Sequence, residues 1–306
     1  MKLNSRKLSL GCLAVFALFF TVSTPAQKLQ GSNRDHAAKA ANPDASAAAK
    51  AKTKSDAASP DATETCSYTF TSGSGATYLQ FCVTTNGNIV EFNSPSGIEQ
   101  IAQGPPYEGY GVCDGNTGVG YYDYAYTDSG NWGSPTTVSH TATAVKIERT
   151  TSDGLWTLTQ TITSTAGDNP YAKIAMALKN NSGESKSASL MRYANVNAGD
   201  AAAINNFAEN YDGTLDSAWG YTSFDTTAAE APYGLMLQNV GNSAPSTAEY
   251  FREGFAITGY DGPAPCSPYT NYVGTIYNEI GSVVYWYGLD FNKEQTVTVT
   301  SRYMSF

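Results

Sequence analysis

The sequence predicts an all-β fold, a large antiparallel two-sheet β-sandwich. Large and polar side chains alternate with a period of two along many segments, which is typical of half-buried strands. Turn-forming residues separate these segments, and the regular helices that connect parallel strands are not indicated between them. We therefore expect about 13 to 15 strands with one or two short helices.

The centre of the fold is predicted at residues 142–196, as a meander of three or four strands. In residues 156–163 large side chains alternate with threonines, which places Trp156 and Ile162 on the same face. Gly154 lies just before this segment, where a tight hairpin turn requires positive φ.

Further strands and both helices follow from the same patterns. The predicted strands outside the meander are 66–70, 78–84, 88–92, 121–126, 218–224, 233–237, 272–280, 283–291 and 296–300. The helices are predicted at 200–209 and 246–251, a loop-rich region at 94–117, and a hairpin around Gly281.

The first residues predict export. A charged start precedes an apolar run at 8–22, and small residues suited to cleavage stand before Gln27, so we interpret residues 1–26 as a signal peptide. The run is short for a membrane span, and we expect no transmembrane segment. Cys12 would suit a lipoprotein only if the apolar run preceded it, whereas most of the run follows it. The predicted location is secreted or periplasmic.

Residues 27–64 predict a disordered linker of Ala, Lys, Ser, Asp and Pro. Beyond alanine the segment has one aliphatic residue, Leu29, and no aromatic residue, so it cannot bury enough apolar surface to offset its ordering entropy. Residues 65–306 are then a single β-sandwich domain, a size that such folds reach as one unit.

The charge of this domain excludes one class of partner. It carries nine basic and 22 acidic residues, a net charge of −13. Such a surface repels phosphate backbones and anionic membranes. We expect no nucleic-acid partner.

The four cysteines of the domain predict two disulfides, as is usual in exported proteins. Pairing Phe70 with Tyr78 in a hairpin would place Cys66 opposite Cys82. Cys113 and Cys266 would then join two loops rich in glycine and proline.

The scarcity of histidine excludes several kinds of catalysis. His140 is the only histidine of the domain, and its place in a threonine- and serine-rich segment favours an ordinary residue at a strand end. Ser-His-Asp, Cys-His and multi-histidine zinc chemistry are therefore not expected. Phosphate-binding and dinucleotide-binding glycine motifs are also missing from the sequence.

Carboxylates leave an enzyme open as an alternative. Glycoside hydrolysis needs two of them at a fixed separation, and a polysaccharide lyase could use Arg192 and Tyr193, although neighbouring strand positions face opposite sides. Most acids of so acidic a domain serve as solvated surface or turn residues. The carboxylates considered for such a pair are Glu91, Glu108, Asp123, Asp200, Glu209 and Asp212.

Calcium is the one cofactor that the sequence leaves open. Residues 195–200 and 210–216 place oxygen-bearing side chains at alternate positions near glycine. Both lack the glutamate that closes an EF-hand loop, and turn formation by Asn and Asp explains the same pattern. We assign no metal ligand.

The aromatic residues suggest the function. Tyrosines crowd into residues 107–126, and Trp132 follows in a stretch rich in glycine. Aromatic faces beside amides and carboxylates suit carbohydrate, although tyrosine is also a common strand residue. We therefore expect non-catalytic binding of carbohydrate or a cell-envelope component, with a carbohydrate-active enzyme as the alternative.

The ligand site is predicted on a loop face formed by residues 104–132 and 261–269, which the disulfide Cys113–Cys266 would hold together. Its candidate residues are Tyr107, Tyr110, Tyr121, Asp123 and Trp132.

If residues 27–64 are a linker, removing them leaves the domain intact. A chain that begins at Thr65 should melt at the same temperature as the chain that begins at Gln27, as measured by circular dichroism. A decrease of more than a few degrees would show that the segment packs on the domain.

Overall fold

The computed structural model describes residues 65–101, 108–200, 205–210, 217–222, 233–240, 250–258, 262–267, 275–279 and 281–306. The predicted signal peptide and linker lie outside them. The strands within these residues are β1 Tyr68–Ser72, β2 Leu79–Val83, β3 Ile89–Asn93, β4 Glu108–Asp114, β5 Gly120–Asp123, β6 Thr136–His140, β7 Ala144–Thr150, β8 Trp156–Thr165, β9 Tyr171–Asn180, β10 Lys186–Asn195, β11 Asn205–Asn210, β12 Ser217–Tyr221, β13 Gly234–Asn239, β14 Tyr250–Thr258, β15 Ile276–Glu279, β16 Gly281–Phe291 and β17 Thr296–Ser305.

The strands form three antiparallel sheets. In the part of the chain that the structure describes, a nine-stranded sheet has the order β15-β11-β12-β13-β17-β9-β8-β7-β6, and a five-stranded sheet has the order β14-β16-β10-β4-β5. Strands β12, β13 and β17 contact β14 or β16, so the two large sheets face each other. The predicted antiparallel sandwich is confirmed. The third sheet, β1-β2-β3, contacts β17 through Phe92, whose ring lies 6.2 Å from that of Tyr303.

The predicted meander is present, but its strands divide between the two large sheets. Strands β7, β8 and β9 pair in sequence, with Leu158 opposite Leu178. Strand β10 instead pairs with β4 and β16 in the five-stranded sheet. The alternation predicted for β8 is confirmed, because Trp156, Leu158 and Ile162 are all buried. Gly154 has φ 75°, as its predicted turn requires.

Strand β4 corrects the prediction of a loop-rich region at 94–117. All seven of its residues are buried, because β4 lies between β10 and β5 inside the sandwich. Glycines alternate with larger residues here, and Gly109 has no room for a Cβ against the backbone of Asp123. A glycine-rich stretch was therefore mistaken for a loop.

Two other predictions of local structure are wrong. The helix predicted at 200–209 is strand β11 from Asn205 onward, and the two described residues of the second predicted helix begin β14. Three-residue 3-10 turns at Gly75–Thr77 and Ala198–Asp200 are the helical elements of the described residues. The hairpin predicted around Gly281 does not form, because β15 pairs with β11 whereas β16 pairs with β10 and β14.

Both predicted disulfides are present, Cys66–Cys82 and Cys113–Cys266. The register that suggested the first one is wrong by three residues, since Phe70 pairs with Phe81 and Cys82 lies opposite Thr69. Cys66 lies before β1 and still reaches Cys82, with a Cα–Cα distance of 5.5 Å.

Removing the long-range disulfide should destabilise the domain more than removing the short one. The cysteines are 153 residues apart in one bridge and 16 in the other. In the chain-entropy model the losses are about 5 and about 3 kcal/mol. Urea denaturation of Cys113→Ser/Cys266→Ser and Cys66→Ser/Cys82→Ser measures both; the reverse order would contradict the model.

Candidate functional site

The turn between β2 and β3 reaches both large sheets, with Gly87 and Asn88 buried. The carbonyl oxygen of Asn86 accepts hydrogen bonds from Tyr110 Oη at 2.9 Å and Gln160 Nε2 at 3.3 Å. Gly87 has φ 94°, and a Cβ there would clash with the Gln160 amide, so the turn requires glycine. The Asn88 amide donates to the carbonyls of two residues of β4 and β5, each at 3.0 Å.

An ion pair between Glu108 and Arg192 lies beside this turn, with both side chains fully buried. The Arg192 guanidinium also donates to Gln160 Oε1 at 2.6 Å and to the Gly87 carbonyl at 3.2 Å. Glu108 accepts from the Ile89 N–H at 2.6 Å and from a tyrosine of β17, Tyr303, at 2.9 Å. Burial raises the pKa of Glu108 to about 7, while the guanidinium and these hydrogen bonds act in the opposite direction.

A second buried ion pair joins Arg149 on β7 to Asp123 on β5. Arg149 Nη1 lies 2.5 Å from Asp123 Oδ2 and donates to Tyr110 Oη at 3.0 Å. The guanidinium also lies over the ring of Trp132, 5.5 Å from its centroid. Burial raises the pKa of Asp123 to about 6, against the effect of the Arg149 charge.

The structure brings together four of the five ligand-site residues that the sequence predicts. The Trp132 ring lies 5.6 Å from that of Tyr110 and 6.1 Å from that of Tyr121, both edge-on. The exposed fractions of Tyr110, Tyr121, Asp123 and Trp132 are 0%, 1%, 1% and 8%. Rings this deeply buried have no face open to solvent, which favours a packing role. The fifth residue, Tyr107, lies outside the described residues.

The described parts of the predicted loop face do meet. The disulfide Cys113–Cys266 joins them, and the hydroxyl of Tyr124 donates to the Pro263 carbonyl. Ser189 Oγ donates to the Pro265 carbonyl at 3.1 Å, so this loop is held against the five-stranded sheet.

A polar cleft of about 250 Å³ opens near the start of β10 and the turn between β16 and β17. Its lining includes Asn116, Lys186, Asp290, Asn292 and Gln295. The Lys186 ammonium lies 3.3 Å from the buried carboxylate of Asp114, and the two groups form an ion pair. The cleft therefore presents amides, one cation and one exposed carboxylate.

The geometry gives little support to a lyase pair of Arg192 and Tyr193 or to calcium binding at the segments 195–200 and 210–216. Arg192 points toward Glu108, whereas Tyr193 lies on the opposite face of β10 against Tyr124, 5.2 Å between ring centroids. Among the described residues no group of three or more His, Cys, Asp or Glu side chains could hold a metal ion. In the segment 195–200, Asn195 is buried, and most of the segment 210–216 lies outside the described residues.

The outer face of the nine-stranded sheet carries a row of apolar side chains that the sequence analysis did not single out. Strand pairing places Tyr171 opposite Met304, Met304 opposite Met236, and Met236 opposite Trp219. All four are partly exposed, and the buried residues of the same strands alternate with them. The row spans about 14 Å, three strand spacings of about 4.8 Å each.

A second apolar row lies beside the first, nearer the ends of the strands. Phe306 packs over Gly234, which pairs with Tyr221 on the next strand. Burial raises the pKa of Tyr221, and the nearby phenol of Tyr277 on β15 raises it further. Tyr277 is 65% exposed and Phe306 44% exposed. We call the two rows together the outer platform, which comprises Tyr171, Met304, Met236, Trp219, Phe306, Tyr221 and Tyr277.

The sequence contained a signal for this face. In residues 217–221 the small residues occupy the buried positions and the aromatic residues the outward ones. An apolar side chain at a position where alternation expects a polar one is informative, because contiguous exposed apolar groups mark interaction sites.

Together these features define a disulfide-bonded antiparallel β-sandwich with a polar interior network and an apolar outer sheet face. Within the described residues, no helix has the length and hydropathy to cross a membrane. No protein-family model matches the sequence, and neither does any curated protein.

The solved structures that match include a bacterial glucoamylase crystallised in complex with acarbose, at 12% identity and a TM-score of 0.49. The match covers 81% of this chain and 34% of the glucoamylase chain, so this chain spans about a third of that protein's length.

The buried carboxylates should make the domain less stable as pH rises. Glu108 has its pKa raised from 4.5 to about 7, so the folded state holds the proton more tightly than the unfolded chain between these values. The contribution of Glu108 to the free energy of unfolding is fully present below pH 4.5 and is lost as the pH rises through about 7. Glu99, whose pKa burial also raises to about 7, acts in the same direction.

We expect the unfolding free energy from urea denaturation to fall between pH 5 and pH 8. The contribution of Glu108 is up to about 3 kcal/mol. Glu108→Gln should show a shallower dependence, whereas Asp290→Asn, at an exposed carboxylate of β16, should follow the parent. A Glu108→Gln curve parallel to the parent's would contradict the assignment.

Proposed function

We propose that this protein binds carbohydrate without cleaving it, and that the outer platform is the binding surface. The observation that carries the proposal is the row of aromatic and methionine side chains on a solvent-facing sheet. A pyranose ring has an apolar face that stacks on aromatic rings and a rim of hydroxyls that needs polar partners. Gln238, which faces outward on β13 one outward position from Met236, is a suitable polar partner beside the first row.

The rigidity of the sheet supports binding by this face. Tyr171, Met304 and Met236 stand on adjacent hydrogen-bonded strands, so their positions are set before a ligand arrives. A surface that is already ordered loses less conformational entropy on binding than a mobile loop does.

Two observations support binding over hydrolysis. Among the described residues that face outward on β9, β12, β13 and β17 there is no carboxylate, whereas glycoside hydrolysis uses a pair about 5 to 10 Å apart. Glu108 and Asp123, whose pKa values are raised by burial, are closed to a substrate and engaged with Arg192 and Arg149. The enzyme remains the alternative, which the experiment below includes.

We further propose that the protein works outside the cytoplasm, secreted or periplasmic, where it meets polysaccharide or a component of the cell envelope. The two disulfides support this location, because such bonds persist in oxidising compartments.

Variants of the outer platform should weaken retention of the protein on glycans. In affinity electrophoresis against a panel of soluble polysaccharides, Trp219→Ala and Tyr171→Ala should each bind about tenfold more weakly, since each loses a stacking contact of about 1.4 kcal/mol. Val138→Ala, at a 49% exposed apolar residue of the edge strand β6, is the control and should bind normally.

The same panel tests the loop-face site and the enzyme. Tyr110→Phe and Trp132→Phe keep most of the packing, so they should bind like the parent if the outer platform is the site. Loss of binding in these two variants alone would restore the loop face as the site. Release of new reducing ends would support the enzyme.

A further inference from the structure

We infer that the ligand of the outer platform is an acidic polysaccharide whose sugar rings carry carboxylates, an inference that rests on the proposed carbohydrate binding. The basis is an uneven distribution of charge. Four of the nine basic residues of the domain face outward from the nine-stranded sheet, in a domain with 22 acidic residues. They are Lys146, Lys173, Lys179 and Arg302.

Of the five other cations of the domain, three are engaged in ion pairs, one lies in a turn, and Arg252 belongs to β14 of the five-stranded sheet. Arg149 and Arg192 are buried in ion pairs with carboxylates, and Lys186 pairs with Asp114. Lys293 lies in the exposed turn between β16 and β17. The lysines of the outer face are not among the ion pairs of the described residues.

Two of these cations lie directly beside the first apolar row. Lys173 and Arg302 are opposite each other on β9 and β17, one outward position away from the pair Tyr171 and Met304. That separation is about 7 Å along the strands. A glycan lying across the strands, with its rings on Tyr171 and the methionines, would thus have a cationic row along one side.

Arg302 is held in place at the edge of the platform. Its Nε and one Nη donate to Gln238 Oε1 at 2.9 and 2.6 Å. Its guanidinium lies over the Tyr171 ring, 4.9 Å from the centroid, and so covers one face of that ring. A planar cation fixed beside an aromatic face can pair with a carboxylate at small entropic cost.

The local charge outweighs the distant acidity of the domain. Among the outward-facing residues of β7, β8, β9 and β17 the one acid is Glu148, which accepts a hydrogen bond from Thr159 at 3.0 Å. Charges further away than about 8 Å are largely screened at physiological salt.

A matched pair of polymers tests this inference on the full chain. Polygalacturonate carries one carboxylate per ring, and its fully methyl-esterified form has the same backbone without the charge. We expect the parent protein to bind polygalacturonate about tenfold more tightly than the ester in affinity electrophoresis at about 0.15 M salt, with the difference shrinking as more salt is added.

Substitutions at Lys173 assign the charge effect to this face. Lys173→Gln should weaken binding of polygalacturonate about threefold, and Lys173→Glu about tenfold, with binding of the ester unchanged. Lys293→Gln and Lys293→Glu make the same charge changes away from the sheet and should leave both polymers' binding unchanged.

The other outcomes separate failure of the inference from failure of the proposed function. Equal or tighter binding of the ester would overturn the acidic ligand and leave carbohydrate binding standing. Equal losses in the Lys173 and Lys293 variants would overturn the local site. Binding of a single-stranded oligodeoxynucleotide or of anionic phospholipid vesicles as tight as that of polygalacturonate would show a general polyanion surface and overturn the inference. Binding of neither polymer by the folded protein would overturn it as well, with the glycan panel deciding the proposed function separately.

Discussion

A single buried cation joins the three sheets of this domain. Arg192 stands on the central strand of the five-stranded sheet and contacts Glu108 on the next strand, Gln160 of the nine-stranded sheet and the Gly87 carbonyl between β2 and β3. Tyr303 on β17 completes the arrangement by donating to Glu108. Removing such charges from water costs several kcal/mol each, which only good pairing offsets. The three sheets must therefore meet in one relative position.

This polar interior explains why the domain is rich in tyrosine. Tyr110, Tyr121, Tyr124 and Tyr303 are buried, and each hydroxyl has a partner inside the protein, respectively a backbone carbonyl, Asp153, another backbone carbonyl and Glu108. A buried phenol supplies apolar area and a hydrogen bond together, so it suits an interior that contains two ion pairs. Clustering of tyrosines in the sequence thus indicates this network at least as much as a binding face.

Alternation along the chain predicted most strands and their buried faces, because period-two patterning reports which side of a strand meets the core. It could not report the partner of a strand. Strand β10 follows β9 after a short turn yet pairs in the other sheet, and β15 pairs with β11 instead of β16. The sequence did not predict strand β4, because Gly109 faces the backbone of Asp123 and Gly111 faces the side chains of Met191 and Pro265. Only the assembled sandwich reveals these contacts. The disulfide Cys66–Cys82 was predicted even though the assumed register was wrong, since cysteines near a hairpin tolerate small shifts. The second pairing then followed because two cysteines were left.

The aromatic residues divide into two groups that differ in what holds them. Those inside are fixed by ion pairs and hydrogen bonds, whereas Trp219, Tyr171 and Tyr277 stand outward on a sheet whose pairing fixes their spacing. Leaving such side chains exposed forgoes about 25 cal/mol of hydrophobic stabilisation per Å² of apolar surface. It also promotes self-association unless charges lie nearby. Lys173 and Arg302 provide that charge, with the Arg302 guanidinium lying over the ring of Tyr171. A face that combines aromatic rings with nearby cations suits a hydrated, charged polymer better than it suits another apolar protein surface.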